Sequence, residues 1–428
     1  MNTASPVESA AGRVRVAYLF TTFPLPSETF LQREIRAMRE RADVSFEIHS
    51  LWGGRASWEG IPIKRFPLSS IPRVIFWQLP KWAWRRPDVI GDIWGEYLRA
   101  EPRGLLDIAE NLLGCAFALD TADHFKKNPP GLFHGVWTTM PGAAALLLSR
   151  LTGVPYSLGA HAYDIFSRGG DWIAKTKLGG ASFAHNSTAS ARNRALALGC
   201  QPHRAALIRR GLDTLPDFAE HGYIHNPVTF LTVGRLVPKK GFRRQLLIYR
   251  ALLDAGIDVS ATLVGDGELR GELENKIARL GLEGRVTLAG EISYEAVSRL
   301  HDASDIFLFT GMIAANGDRD GLPNVIGEAM AHGTSVITTP VSGTTEAIED
   351  GVTGQVVELD DLQGWVRAVR RLIEDPAFTL RTRAAARAWV ETNFCAHSNA
   401  AKLAARFHRA ANDRYDRPVK TDRRDRRI

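Results

Sequence analysis

The sequence predicts an α/β protein built from two doubly wound parallel sheets. Three observations carry that expectation. β-rich runs alternate with helical stretches in both halves of the chain, and several of those runs end in Gly-rich turns. Between the two series lies 214–226, T-L-P-D-F-A-E-H-G-Y-I-H-N, a polar segment carrying Pro and Gly. With 428 residues, 45% of them hydrophobic and 24% charged, the chain can bury two cores of ordinary size.

In chain order, Val14 to Phe20 reads as the first strand. Glu28 to Arg41 follows as an amphipathic helix, with Phe30, Leu31, Ile35 and Met38 on one side. Phe133–Trp137 and Tyr156–Ala160 are later strands, and Pro141–Leu151 is a helix between them. Downstream, Thr229 to Gly241 (T-F-L-T-V-G-R-L-V-P-K-K-G) is a β-rich run entering a loop with Gly234, Arg235, Lys239, Lys240 and Gly241. Ala261–Gly267, Arg285–Gly290 and Asp305–Phe309 are further strands. Val325–Ala331 is a helix stopped by Gly333, with Pro323 suited to its first position. Asn399–Ala411 is a final helix, and no internal repeat is evident.

The stretch Asp318 to Gly333, D-R-D-G-L-P-N-V-I-G-E-A-M-A-H-G, holds the most chemistry. First-turn N–H groups of a helix lack internal partners and lie at the positive end of its dipole, so they suit an anion. Asp320 precedes that helix, and Glu328 lies one turn inside it on the face of Asn324. A phosphate there would have a carboxylate on either side, each able to accept hydroxyl protons, which suits a sugar nucleotide. Taken alone, an acid at a helix start and a solvated helix Glu would read the same way. The loop of Gly234, Arg235 and Lys240 adds a guanidinium fork and a point charge for a diphosphate, although basic loops are commonly just solvated.

Together these residues resemble the retaining glycosyltransferases of family 4, which have the two-domain GT-B fold. G-R-L-V-P-K-K-G is similar to the donor-phosphate loop, and Asp320 to Glu328 to the signature of two acids with seven residues between them. Val341 to Gly354 (V-S-G-T-T-E-A-I-E-D-G-V-T-G) is similar to the segment that follows. F-P-L-P-S-E-T-F-L-Q-R-E-I (Phe23 to Ile35), G-A-H-A-Y-D-I-F (Gly159 to Phe166) and I-R-R-G-L-D (Ile208 to Asp213) match phrases of bacterial exopolysaccharide members, of the colanic-acid type. The likeness runs from about residue 14 to 410, with one departure: Asp320 stands where the family usually has Glu. The shorter side chain keeps the charge and loses a methylene of reach.

The resemblance implies an acceptor-binding Rossmann-like domain over 1–215 and a donor-binding one over 216–395. It further implies a helix over 396–412 crossing back to the first domain, before a disordered basic tail, 413–428. The expected activity is transfer of a hexosyl unit, with retention, from a UDP- or GDP-hexose to a saccharide or polyprenyl-linked saccharide. Arg235, Lys240 and the amides of Leu322, Pro323, Asn324 and Val325 (Pro323 contributing backbone shape and no N–H) are expected around the leaving diphosphate, with Gly234 beside them. Glu328 is expected on the ribose hydroxyls and Asp320 on the donor sugar. His161 and Asp164 fall in what the likeness makes an active-site segment, and a strand-end histidine can bond a hydroxyl or phosphate. His134 and His185 have weaker claims. Ser27 and Thr29 fit a donor to the diphosphate, the lining of the acceptor cleft or a helix N-cap. No Asp-x-Asp metal motif is read in a plausible loop, so neither metal nor cofactor is expected. With no nucleophile evident, retention is expected by same-face attack within an ion pair.

Cys115, Cys200 and Cys395 are odd in number and widely spaced, which speaks against a disulfide framework or a cysteine zinc site and fits a reducing cytoplasm. The N-terminus carries no basic region followed by an apolar core, and Gly135–Ser149 is too short and interrupted for a span. The net charge of +7 fits phosphate-bearing substrates or anionic lipid, and no nucleic-acid module is present. Within Ile71–Pro87, Phe76, Trp77, Trp82 and Trp84 alternate with Arg73, Lys81, Arg85 and Arg86. That pattern fits either a membrane interface on the inner face of the cytoplasmic membrane or tryptophans packed on the first domain. Pro80 is expected to break any long helix there. Two rivals share part of the pattern: a sugar-nucleotide epimerase of similar fold, and a catalytically silent nucleotide-sugar-binding membrane scaffold. An epimerase needs acid and base groups on both sides of the sugar, and a related phosphorylase needs a pyridoxal-phosphate lysine; neither is visible.

Overall fold

The computed structural model describes residues 12–25, 28–218, 222–341 and 343–413. The expected basic tail therefore lies, apart from Asp413, outside the described residues, as does Ser27.

Chain contacts divide the molecule into two compact units. One runs to Asn186, adds Ala191–Ile208 and resumes at His397; the other is Ser187–Ser190 with Arg209–Ala396.

The first unit is organised on eight strands: β1 (Val14–Phe20), β2 (Val44–Ser50), β3 (Ser57–Trp58), β4 (Ile61–Arg65), β5 (Leu132–Gly135), β6 (Tyr156–Gly159), β7 (Ala184–Asn186) and β8 (Ala205–Leu207). Their order is β3-β4-β2-β1-β5-β6-β7-β8, parallel except for the β3–β4 pair. β1 is the hub, with Val14 opposite Val44 on one side and Val16 opposite Leu132 on the other. Its residues from Val16 to Phe20 are all buried, as a strand covered by helices on both faces requires. The helix Met140–Thr152 starts with Pro141 in its first turn and ends at Gly153, which takes the left-handed conformation. Against it lies Leu105–Lys127, so close that a Cβ on Gly114 would stand 2.3 Å from the Met140 carbonyl oxygen.

The final helix, Ala396–Asn412, belongs to this first unit from His397 on. Phe407 sets its ring against Tyr18 at 5.8 Å, His134 at 5.2 Å and Phe183 at 5.9 Å, and His397 meets Glu40 at 2.8 Å.

Pro80 does not interrupt the helical course of 71–85. A π-helical turn, Val74–Gln78, leads directly into the helix Leu79–Arg85, whose first turn holds Pro80. Proline lacks the N–H a continuing α-ladder needs and crowds the carbonyl four residues back; the wider turn accommodates both. Trp82 is fully buried, its indole N–H donating to the Leu119 carbonyl at 3.1 Å, so it is core and not part of an exposed patch.

The second unit holds β9 (Val228–Val233), β10 (Val259–Val264), β11 (Val286–Gly290), β12 (Ile306–Phe309), β13 (Ser335–Thr338) and β14 (Gln355–Val356), all parallel, in the order β11-β10-β9-β12-β13-β14. The chain fills one side from β9 to β11 and then the other from β12 to β14. Strand order therefore reverses between β9 and β12, and the carboxyl ends of those two strands are where such a sheet opens a ligand crevice.

The segment 214–226 does not stand apart from this unit. Leu212 exchanges backbone bonds with the Phe394 carbonyl and the Ala396 N–H, both at 2.9 Å, and Arg387 donates to the Pro216 carbonyl at 2.8 Å. The break falls earlier, before Arg209, whose guanidinium meets Glu346 at 3.1 Å. The same carboxylate accepts from the N–H groups of Ala189 at 2.8 Å and Ser190 at 3.0 Å, which draws 187–190 into the second unit.

Candidate active site

The carboxyl end of β9 runs into Gly234, and the chain then turns through a short 3₁₀ segment, Pro238–Lys240, to Gly241. Gly241 has φ +71°, and a Cβ there would stand 1.8 Å from the Thr310 carbonyl oxygen just beyond β12. Only glycine lets the loop lie on the end of the neighbouring strand. The loop is tied down there: Met312 N–H donates to the Lys239 carbonyl at 2.8 Å and the Thr310 hydroxyl to the Lys240 carbonyl at 3.1 Å. Gly234 faces Lys240, its built Cβ 3.3 Å from Cε.

These constraints aim both lysines at the acids that follow β12. Lys240 Nζ lies 2.7 Å from Asp320 Oδ2. Lys239 Nζ lies 3.4 Å from Asp320 Oδ1 and 3.0 Å from Asp318 Oδ2. Burial of Asp320 pushes its carboxyl up, but the charges of Lys240 and then Lys239 outweigh it and hold it below the usual carboxylate range. Lys240 also stands 5.3 Å over the Phe309 ring. Arg235 is exposed, at the outer edge of the loop.

Asp318 and Asp320 do have the Asp-x-Asp spacing that the sequence reading passed over, and lysines meet both carboxylates. Lys239 was the cation given less weight there, yet it touches both acids and is the more buried. The doubled lysine of K-K-G and the doubled acid of D-R-D were its visible signals.

After Gly321 and Leu322, the helix Asn324–His332 begins with Pro323 as its N-cap, one residue outside the expected first position. The cap makes no side-chain bond, so the first-turn amides of Asn324 and Val325 are not satisfied by a cap side chain. Glu328 is buried, 6% exposed, and is not the solvated helix acid of the bland reading. Gly327 beside it lets the Phe394 ring approach, where a Cβ would meet ring carbon at 2.4 Å. The helix ends at Gly333, φ +77°. Gly234, Lys240 and Asp320 are thus brought together at one strand-order reversal, with Arg235 exposed on the same loop and the helix start four residues beyond Asp320.

His161 lies in the first unit, just past the end of β6. It is buried, with its ring 5.5 Å from Trp137 and 5.0 Å from His185. Asp164 is spent on backbone: its carboxylate accepts from the N–H groups of Ala162 (2.9 Å), His161 (3.2 Å) and Thr138 (3.3 Å) and from the Thr138 hydroxyl (3.2 Å). Burial holds its carboxyl above the usual range. It shapes the turn that carries His161. Thr29 opens the helix Thr29–Arg39, whose N-cap is Glu28 without a side-chain bond, so the expected Ser or Thr cap is not seen.

Residues 214–389 match the family model described as glycosyl transferases group 1. The amylovoran biosynthesis glycosyltransferase AmsK of Erwinia amylovora is 33% identical over 221 residues, 51% of this chain and 54% of that protein. The putative colanic acid biosynthesis glycosyltransferase WcaL of Salmonella typhimurium is 30% identical over 168 residues, 39% of this chain and 41% of that protein. The chain thus spans about half the length of these curated relatives. Anabaena HepE, solved in complex with UDP, superposes with a TM-score of 0.67 at 19% identity, covering 92% of this chain and 100% of that one. That likeness fixes the architecture, two Rossmann-like units of GT-B type, with a C-terminal helix returning to the first. Residues 214–389 thus resemble the glycosyl transferases group 1 family, in a chain with the GT-B fold.

Proposed function

We propose that the protein is a retaining, metal-independent glycosyltransferase that moves a hexosyl unit from a nucleotide sugar to a saccharide or lipid-linked saccharide acceptor in bacterial surface-polysaccharide synthesis. One observation carries this reading: two lysines, an ion-paired Asp320 and an uncapped helix start meet at the carboxyl ends of β9 and β12. A diphosphate needs several positive groups to leave, and Arg235, Lys240 and the amides of Asn324 and Val325 supply them without a cation. A bound diphosphate competes for Lys240 and so frees an Asp320 oxygen for a donor-sugar hydroxyl. Glu328 would take the ribose hydroxyls. UDP-glucose, bound in HepE, and GDP-mannose, on which a mycobacterial relative depends, are both suitable donors. The first unit, with His161, would take the acceptor. Incubating the purified chain with UDP-glucose, UDP-galactose and GDP-mannose should release nucleotide slowly from one of them and faster with acceptor saccharide. Release from none would refute the proposal, and an inverted anomeric signal in the product would refute retention.

We further infer that the first unit touches a bilayer from its 71–86 segment. Phe76, Trp77 and Trp84 are 79%, 69% and 71% exposed, and Ile75 lies beside them. Large apolar side chains in such a row bury readily at a lipid interface. Charge contributes less than the sequence implies, because Arg73 meets Asp120, Lys81 and Arg85 meet Asp123, and Arg86 meets Asp88. No helix among the described residues is long and apolar enough to cross a membrane.

A further inference from the structure

Three side chains far apart in sequence converge inside the first unit. Glu34 comes from the helix Thr29–Arg39, His134 from β5 and His185 from β7. One ligand atom from each lies within 4.8 Å of the others, and both histidines are almost fully buried. We propose that Glu34, His134 and His185 bind a divalent transition-metal ion of the zinc class. This site is separate from the diphosphate region of the second unit and does not rest on the glycosyltransferase reading.

The hydrogen bonds around the cluster have the arrangement that ligating imidazoles use. His185 Nε2 lies 2.9 Å from the Ile208 carbonyl oxygen, an acceptor only, so Nε2 carries the proton and Nδ1 presents the lone pair of the neutral ring. That Nδ1 faces Glu34 Oε2 at 3.9 Å. His134 Nδ1 is 2.8 Å from the Ser157 hydroxyl, which leaves Nε2 as its ligating nitrogen when Ser157 accepts. A carbonyl and a hydroxyl thus each orient one ring, as outer partners do in histidine metal sites.

The donor set selects the ion. Two imidazoles and one carboxylate suit zinc, cobalt or nickel and are a poor cage for magnesium or calcium, which take oxygen. Tetrahedral bonds of about 2.0–2.1 Å place donors roughly 3.3 Å apart, so the His185–Glu34 pair needs only a small inward turn and the third donor a larger one. Aromatic rings cover one side: those of Tyr18, Phe183 and Phe407 stand 5.1, 6.4 and 5.2 Å from that of His134. Phe407 belongs to the returning helix, so a metal here would stiffen the surface on which that helix sits. The ring of His185 is 5.0 Å from that of His161, which places the ion one side chain from the segment expected to serve the acceptor.

The test uses the full chain, stripped with a strong chelator and titrated with Co²⁺. The proposal expects the intense visible absorption of four-coordinate cobalt, saturating at equimolar metal and bleached by Zn²⁺. The band should vanish in Glu34→Gln and in His185→Asn, and Zn²⁺ should raise the thermal midpoint of the wild type but of neither variant. A featureless cobalt spectrum in the wild type would overturn the proposal, leaving the cluster as a Glu34 carboxylate paired with a His185 imidazolium. A band that persists in both folded variants would also overturn it, by placing the metal on other histidines. Should the variants not fold, X-ray absorption at the zinc edge of the loaded wild type decides: two imidazoles in the shell support the site, and one or none refutes it.

Discussion

Lys240 Nζ and Asp320 Oδ2 stand 2.7 Å apart, joining the loop after β9 to the loop after β12 across the point where strand order reverses. The pair fixes the position and charge of an Asp that stands where the related pattern has Glu. The shorter acid is reached by two lysines, Lys239 and Lys240, and is held ionised by them. In the proposed donor complex, a diphosphate on Lys240 would leave Lys239 to neutralise Asp320.

Replacing Lys240 by Ala should therefore slow turnover while leaving the chain folded, since Lys239 keeps Asp320 paired. Loss of one donor that strengthens in the transition state costs about 2.7–4 kcal/mol, or roughly 10²–10³ in kcat. Single-turnover rates with saturating donor measure it. A folded Lys240→Ala protein with wild-type turnover would remove Lys240 from the mechanism.

Asp320 also gives a signed pH dependence. A carboxyl whose folded pKa is depressed stabilises above its unfolded value, about 3.9, and that contribution disappears as pH falls through the lower folded value. Thermal midpoints of wild type and Asp320→Asn should differ near neutral pH and converge in acid below that range. Parallel curves down to acid unfolding would show that the two lysines do not hold the carboxylate.

Chelator separates the sources of positive charge. With Arg235, Lys240 and helix amides at the diphosphate, activity should survive brief excess EDTA in the assay. Complete loss that Mg²⁺ or Mn²⁺ restores would contradict the metal-independent mechanism. A slow loss restored only by Zn²⁺ would point instead to the buried Glu34–His134–His185 cluster.

Vesicle binding should follow the aromatic side chains more than the charges. Burying a large apolar side chain is worth about 1.5–3 kcal/mol, so Phe76→Ser with Trp77→Ser should lower co-sedimentation with vesicles at least tenfold. Glu in place of Arg85, already 3.7 Å from Asp123, should have the smaller effect. Wild-type protein that stays in the supernatant at low ionic strength would end the membrane proposal.

Much of the second unit is legible from local rules. Gly241 and Gly333 sit where the chain must take positive φ, β1 was delimited by its apolar run, and Asp320 and Glu328 bracket a helix start. Less legible were features set by partners distant in sequence. Trp82 reads like Trp84, yet one fills the core beneath Leu119 and the other is exposed, because residues two apart on one helix face opposite sides and only the packing decides which side is core. The break between units could not be read from 214–226, since the bonds from Leu212 to Phe394 and from Glu346 to Ala189 join residues far apart in the chain.

The sequence by itself determined the two α/β series, the glycine turns, the basic loop and the acid-flanked helix, because each depends on neighbours a few residues away. The tertiary structure decided which lysine meets which acid, that Asp164 serves backbone, and that the basic residues of 71–86 are already paired. It also brought Glu34, His134 and His185 together from three elements separated by a hundred residues and then fifty, roughly counted. The parallel sheet sets β5 and β7 on either side of β6 and the helix carrying Glu34 packs against it, a proximity that no spacing along the chain encodes.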